Sequence, residues 1–211
     1  PLVQMQEARL HVHRPQPREV VLRHDRPWEG PFSLYHTIIR DGDRCLLFYR
    51  GWQVPEDPAV YCLAESTDGI HFERPDLGMH EWQGSRENNI FLAEEPYTHT
   101  FAPFLDTRPG VPRKERFKAF SRAHVGEGES SRPVLMGFVS ADGVEWDLLR
   151  DEPIITDGAF DSQNVGFWSE VEGKYVACYR TFRRKEEFES GVTGPTTGAE
   201  RLRSVMRATI E

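Results

Sequence analysis

The stretch Ser66-Thr67-Asp68-Gly69-Ile70-His71-Phe72 aligns without gaps on Ser140-Ala141-Asp142-Gly143-Val144-Glu145-Trp146. Each copy follows a strand-like run, YCLAE at 61–65 and LMGFV at 135–139, and precedes a turn-prone one, ERPDLG at 73–78 and LLRDEP at 148–153. An Asp-Gly pair suits a tight turn that needs positive φ, and the aromatic residue after Ile-His or Val-Glu is expected to start the next strand. The same hairpin is therefore written twice, and internal repetition of this kind outranks other fold signals.

A second element precedes each hairpin. It reads FSLYHTIIRDGDRCLLFYRG at 32–51, FAPFLDTRPGVPRKERFKAFSRA at 101–123 and SQNVGFWSEVEGKYVACYRTF at 162–182. In each, an apolar strand meets a polar turn and a second strand ends near an arginine, placing Arg50, Arg122 and Arg180 at roughly equivalent strand ends. Two hairpins per unit make a four-stranded antiparallel sheet, and the units recur roughly every 60–75 residues. The pattern predicts an all-β protein of β-propeller type, here a partial chain of about three blades. Blade I covers about 28–75, blade II about 98–150, and an incomplete blade III about 160–211.

The third unit ends on RSVMRATIE at 203–211, read as its third strand. A polar insertion at 183–203 precedes it, with FRRKEEFES at 182–190 as the best helical signal in the chain. The sequence opens without Met and closes inside an apparent strand, so it reads as a piece of a longer propeller. A terminal blade without a neighbour exposes an apolar face, which predicts poor stability or aggregation for the piece alone.

Composition excludes several classes. With 38% hydrophobic and 28% charged residues, the 211-residue chain is an ordinary globular one. A net charge of -8 gives no counterion-release advantage on a polyphosphate, so nucleic acid is not an expected partner. No run is long and apolar enough to span a bilayer, which predicts no membrane partner, and the N-terminus does not read as a signal peptide. Cys45, Cys62 and Cys178 sit in strand-like runs without a CxxC pair, and the histidines show no HExxH-type spacing. Neither a disulfide framework nor a metal site nor a cofactor is expected. Oligomeric state and compartment are left open.

The hairpin S-x-D-G-[IV]-x-[FW], ENNI at 87–90, HTFAPFLDTRP at 99–109 and FDSQN at 160–164 followed by VGFWSEVEGKYVACYR together resemble the five-bladed propeller glycosidase superfamily. The likeness is greatest to uncharacterised proteins similar to glycoside hydrolase family 32, and more distant to families 43 and 117. It implies a carbohydrate ligand and a glycosidase activity. The chain carries Trp28-Glu29-Gly30, Thr98-His99-Thr100 and Phe160-Asp161-Ser162 where invertase-like members have Asn-Asp-Pro, Arg-Asp-Pro and Glu-Cys motifs. Its hairpin is also one residue shorter than a sialidase Asp box.

In such a propeller the first strand of each blade lines the central channel, so polar groups at the strand starts converge. These positions hold Glu29, His99 and Asp161. Glycoside hydrolysis needs one group to protonate the leaving oxygen and another to act as base or nucleophile. Glu29 and Asp161 are the candidate carboxylate pair; His99 is an alternative acid, as the resemblance to family 117 implies. Against this, the PWEGP context of Glu29 favours a solvated loop carboxylate, and His99 in THTFAPF reads equally as a channel residue that only hydrogen-bonds. Asn164 and Gln163, beside Asp161 in a dense polar cluster, are candidate substrate-binding groups, with strand capping as the alternative. Arg50 and Arg180 are candidate sugar-binding forks, with pairing to an adjacent blade as the alternative reading. Asp68 and Asp142 read as turn residues. A non-catalytic glycan- or protein-binding propeller is the rival function, and a phosphorylase ranks below both.

Overall fold

The computed structural model describes residues 11–184 and 201–210. The chain is all-β, with antiparallel sheets of propeller type. The first sheet contains β1 (Leu34–Asp41), β2 (Arg44–Gly51), β3 (Val60–Ser66) and β4 (Ile90–Leu92), in that order. The second contains β5 (Ala102–Leu105), β6 (Phe117–Val125), β7 (Arg132–Ser140) and β8 (Asp147–Leu148). In the third, β10 (Lys174–Arg184) lies between β9 (Val165–Ser169) and β11 (Arg201–Ile210). Strand β5 packs against both β1 and β9, so the first strands of the three sheets line up along one axis.

The repeated hairpins owe their shape to side-chain capping of the turn. Asp68 Oδ1 accepts hydrogen bonds from the backbone N–H of Ile70 and His71, both at 2.8 Å. Asp142 Oδ1 accepts the same bonds from Val144 at 2.8 Å and Glu145 at 3.0 Å. In each turn the serine Oγ accepts from the glycine N–H, at 3.0 Å in the first and 2.9 Å in the second. Such side-chain mimicry of a backbone turn explains why the Ser-x-Asp-Gly spacing is strict. Gly143 has φ of 84°, and a Cβ there would stand 3.3 Å from the Phe48 ring of the preceding sheet. Positive φ and a close approach together require glycine.

Three expectations need correction. The segment after the first turn makes only an isolated bridge, Glu73 to Glu65, and the fourth strand comes from Ile90–Leu92. The first sheet thus extends beyond the expected 28–75 limit. Pro75 lacks the N–H that a ladder needs, and the chain leaves the sheet until Asn88 and Asn89 return it. Asn88 Oδ1 accepts from Ile90 N at 3.0 Å, and Asn89 Nδ2 donates to Leu63 O at 2.7 Å. The second correction concerns 182–190: Phe182–Arg184 continues β10 as strand, and the rest of that helical signal lies outside the described residues. The third strand expected from 203 onwards begins at Arg201.

Apolar clusters fill the gaps between sheets. Leu46, Phe48, Tyr61 and Leu63 face Phe101, Phe117, Met136 and Phe138, with Trp146 edge-on to Phe101 at 5.0 Å. Phe120 and Leu135 meet Phe160, Ala177 and Tyr179 between the second and third sheets. The far face of the first sheet is covered by Leu22 and Trp28. The far face of the third leaves Val165, Phe167 and Val205 exposed. Cys45 and Cys62 are buried and Cys178 half-buried, all three as free thiols.

A buried carboxylate, Asp106, is ion-paired within the second sheet and hydrogen-bonded from the third. Asp106 Oδ2 accepts from Lys118 Nζ and from Tyr175 Oη, both at 2.7 Å, while Oδ1 accepts from Arg108 N at 2.9 Å. The Asp106 side chain is fully buried, so each donor replaces lost solvation. Tyr175→Phe is expected to lower stability by about 1.5–3 kcal/mol, the scale for one hydrogen bond to a charged acceptor. Urea unfolding of the two proteins checks this, and an unchanged midpoint would show that the Tyr175–Asp106 hydrogen bond contributes nothing to stability.

Candidate functional site at the blade mouth

At one end of the three sheets the inner strands begin and the second strands finish. Register places Arg50 opposite Leu34, the first residue of β1. Arg122 lies two residues beyond Phe120, the partner of Ala102 at the start of β5, and its N–H donates to Thr100 Oγ1 at 3.3 Å. Arg180 lies two residues beyond Cys178, the partner of Val165 at the start of β9, and its carbonyl accepts from Ala159 N at 2.9 Å. The three arginines therefore occupy equivalent positions around a shared mouth.

Asp161, His99, Gln163 and Asn164 meet there. The Arg180 guanidinium pairs with Asp161 Oδ2, and Asp161 Oδ1, though buried, has no hydrogen-bond partner among the described residues. Tyr35 Oη donates to the Asp161 carbonyl at 3.5 Å, and the Tyr35 ring stands 6.4 Å from the His99 ring. Asn164 is fully buried and donates through Nδ2 to Phe160 O at 3.2 Å and Thr100 Oγ1 at 3.3 Å, holding the Asp161 loop against β5. Gln163 Nε2 donates to Thr37 Oγ1 at 2.9 Å, which ties the same loop to β1. Arg50 is committed to backbone: Nη1 donates to His99 O at 3.1 Å and Nη2 to Phe32 O at 3.2 Å. Its guanidinium lies between the Tyr35 and Trp52 rings, 4.8 and 4.7 Å from their centroids. It thus joins the first two sheets through a carbonyl, not through the carboxylate that an inter-blade ion pair would use.

Glu29 does not join this group. The solvated-loop reading is corrected as well, because the residue is fully buried. Arg74 Nε donates to its Oε1 and Arg74 Nη2 to its Oε2, both at 2.9 Å. Tyr49 Oη donates to Oε1 at 2.5 Å and Arg26 N to Oε2 at 3.2 Å. Both oxygens are occupied by two donors each. Trp28 Nε1 donates to Asn89 Oδ1 at 2.9 Å, and Asn89 Nδ2 donates to Tyr49 Oη at 2.8 Å, extending the network into β4. The sequence put Glu29 at a channel-lining strand start; the structure spends its charge on anchoring the 23–29 segment to Arg74.

Burial, reinforced by the Arg50 and Arg122 charges, holds the His99 imidazole below the ordinary histidine pKa; Asp161 opposes this. A neutral imidazole accepts or relays a proton but is a poor resting acid, which weakens the family 117-like role for His99. Tyr35 and Thr100 are site residues that sequence reading missed. Tyr35 has φ of 58°, rare for a bulky non-glycine residue, and no sequence signal announces that. His24 and His36 also meet, Nε2 to Nε2 at 2.9 Å, and desolvation lowers both pKa values. Among the described residues no three His, Cys, Asp or Glu side chains are grouped to hold a metal ion, and no helix is long and apolar enough to cross a membrane.

These depressed histidines give a pH dependence with a definite sign. His24, His36 and His99 bind protons less readily folded than unfolded, so below about pH 6.5 the unfolded chain takes up more of them. Stability rises with pH from the depressed values up to about 6.5 and is lost as pH falls through that window. His71, raised by its hydrogen bond to Asp68, opposes the trend from an exposed position. The urea midpoint is expected to drop between pH 7 and pH 5, and less steeply in His99→Gln. A midpoint that holds or climbs over that range contradicts the assignment.

No protein-family model matches the chain, and no curated protein matches it in sequence. Solved structures do match in fold. BT0996, solved as a complex with RGII, aligns with TM-score 0.54 and 14% identity over 85% of this chain and 54% of its own length. A structure from the GH130 family of mannoside phosphorylases, described as containing glycoside hydrolases that target β-1,2 mannosidic linkages in Candida mannan, gives 0.51 and 12% over 87% and 49%. An N-acetylgalactosamine deacetylase from F. plautii, in complex with blood group B trisaccharide, gives 0.50 and 17% over 86% and 51%. This protein spans about half the length of the solved proteins it matches. The shared property is the fold: an all-β, propeller-type arrangement of antiparallel sheets also found in glycoside hydrolase structures.

Proposed function

We propose that this chain forms part of a carbohydrate-active propeller that acts on glycosidic bonds at the blade mouth, with Asp161 as its carboxylate. One observation carries the reading. Asp161 sits where the third inner strand is about to start, one oxygen held by Arg180 and the other without a donor among the described residues. A carboxylate oriented by a guanidinium, with an oxygen still to be satisfied, suits a base or nucleophile at a sugar carbon. Gln163 and Asn164 hold the loop that carries it, and the Tyr35 hydroxyl donates to its carbonyl. The sequence resemblance to family 32-like, 43 and 117 propellers supports the same reading. Neutral His99 fits the part of proton acceptor or hydrogen-bond partner. A second reading, a glycan-binding propeller without catalysis, is favoured by Glu29, whose carboxylate is consumed by Arg74 and so does not complete a catalytic pair.

The test is a screen of the protein against a panel of aryl glycosides and defined oligosaccharides, with binding and turnover read separately. Turnover supports the proposal. Saturable binding without turnover moves the protein to the binding class, and the absence of both overturns both readings.

A further inference from the structure

We propose that the Arg122 guanidinium, backed by the charge of Arg50, forms an oxyanion-binding subsite beside His99, so that the ligand engaged at the mouth includes a carboxylate, sulfate or phosphate group. This rests on the mouth being the carbohydrate site and narrows what that site takes.

The three equivalent arginines are not equivalently employed. Arg180 is matched by the Asp161 carboxylate. Arg50 has no carboxylate partner among the described residues; both its terminal nitrogens donate to carbonyls and its faces are covered by Tyr35 and Trp52. Arg122 has the least to do. Among the described residues its side chain donates only through Nη2, to His124 Nε2 at 3.0 Å; its Nε is buried without a partner, as are those of Arg50 and Arg180, so the difference lies in its terminal nitrogens. Because Nη2 donates to it, the His124 ring is the acceptor there and brings no negative charge. Nη1 has no partner among the described residues, and with Nη2 it makes the terminal edge of the guanidinium, a planar pair of donors of the kind that takes an oxyanion through two parallel bonds.

Charge counting points the same way. Among the described residues the mouth gathers three guanidiniums and one carboxylate, and the charges acting on His99 include Arg50 and Arg122 on one side and Asp161 on the other. The chain as a whole is acidic, with net charge -8, so a local cation excess is not a by-product of composition. Arg50 is buried and Arg122 half-buried, and guanidiniums without an anionic partner, as both are among the described residues, cost free energy unless a counter-charge arrives. The Arg50 guanidinium holds the His99 carbonyl, the Arg122 backbone N–H donates to Thr100 Oγ1, and the charges of both arginines act on the His99 ring, so an anion on Arg122 would lie within reach of the proposed reaction centre. The oxyanion has two possible sources: a substituent on the sugar, as in a uronide or sulfated sugar, or a free inorganic anion bound with it.

Binding of methyl β-glucuronide, methyl β-glucoside, inorganic phosphate and inorganic sulfate is measured by calorimetry on wild type, Arg122→Lys, Arg122→Met and Asp161→Asn, with urea midpoints confirming folding. Glucuronide should bind at least about tenfold more tightly than glucoside, a difference of roughly 1.4 kcal/mol, and Arg122→Met should abolish that preference. Arg122→Lys should retain part of it, because charge survives but the fork does not. Phosphate or sulfate binding that depends on Arg122, without a glucuronide preference, supports the subsite and assigns the anion as a free co-ligand. Equal binding of both glycosides that Arg122→Met leaves unchanged overturns the subsite while the carbohydrate reading stands. Arg122-dependent anion binding with no sugar bound does the reverse, and no binding of any probe overturns both.

Discussion

Glu29→Ala is expected to lower the unfolding free energy by roughly 3–5 kcal/mol, the usual cost of removing one partner from a buried ion pair. The magnitude follows from what the substitution strands. Arg74, with its side chain 15% exposed, loses a carboxylate that it grips through two nitrogens. The Tyr49 hydroxyl loses its acceptor inside the cluster of Leu47, Val60, Cys62 and Ile90, and the Arg26 N–H loses its own. A domain stable by about 5–15 kcal/mol forfeits a large fraction of that margin. Glu29→Gln keeps an acceptor for Tyr49 but not the ionic contact, so it falls between wild type and Glu29→Ala. Urea or thermal unfolding reads the effect, and a loss below about 1 kcal/mol, the scale of an exposed pair, would show that Glu29 is solvated after all.

The second large effect concerns chemistry. Under the proposed function, Asp161→Asn is expected to reduce turnover of a glycoside substrate by roughly 10²–10⁴-fold, the range for loss of a positioned proton-transfer group. Asparagine preserves the shape and retains an oxygen for Arg180, so the loop held by Asn164 and Gln163 is not disturbed. Substrate affinity should change much less than turnover. Loss of binding together with unfolding would instead return Asp161 to a structural partner of Arg180.

What the sequence disclosed was local. The Ser-x-Asp-Gly turns were legible because every atom that builds them lies in one short run, from Ser66 to His71 and from Ser140 to Glu145. The strands either side followed from alternation and turn punctuation, and the equivalence of Arg50, Arg122 and Arg180 followed from repeating them. Non-local pairing was invisible. Glu29 looked like a loop carboxylate because its partner, Arg74, lies 45 residues on, in an irregular excursion between β3 and β4. That excursion was itself missed: a tight hairpin was expected where Pro75 ends the ladder and Asn88-Asn89 resume it. Tyr35 escaped notice because its importance lies in a positive φ and in stacking under Arg50, neither of which a residue type encodes. The candidate site was thus half legible. Asp161, His99, Gln163, Asn164, Arg50 and Arg180 gather at the mouth as a group, while Glu29 belongs to the scaffold and Arg122 and Tyr35 complete the lining.

Two carboxylates divide the labour in this proposal, Glu29 serving the fold and Asp161 the chemistry. The decisive comparison prepares Glu29→Gln and Asp161→Asn side by side and measures, for each, the urea midpoint and the turnover of one glycoside identified from the panel. Glu29→Gln should lower the midpoint but, where still folded, turn over substrate at near wild-type rate, while Asp161→Asn should keep the midpoint and lose turnover. The opposite pattern, an inactive but stable Glu29→Gln beside an unstable or active Asp161→Asn, would refute the division.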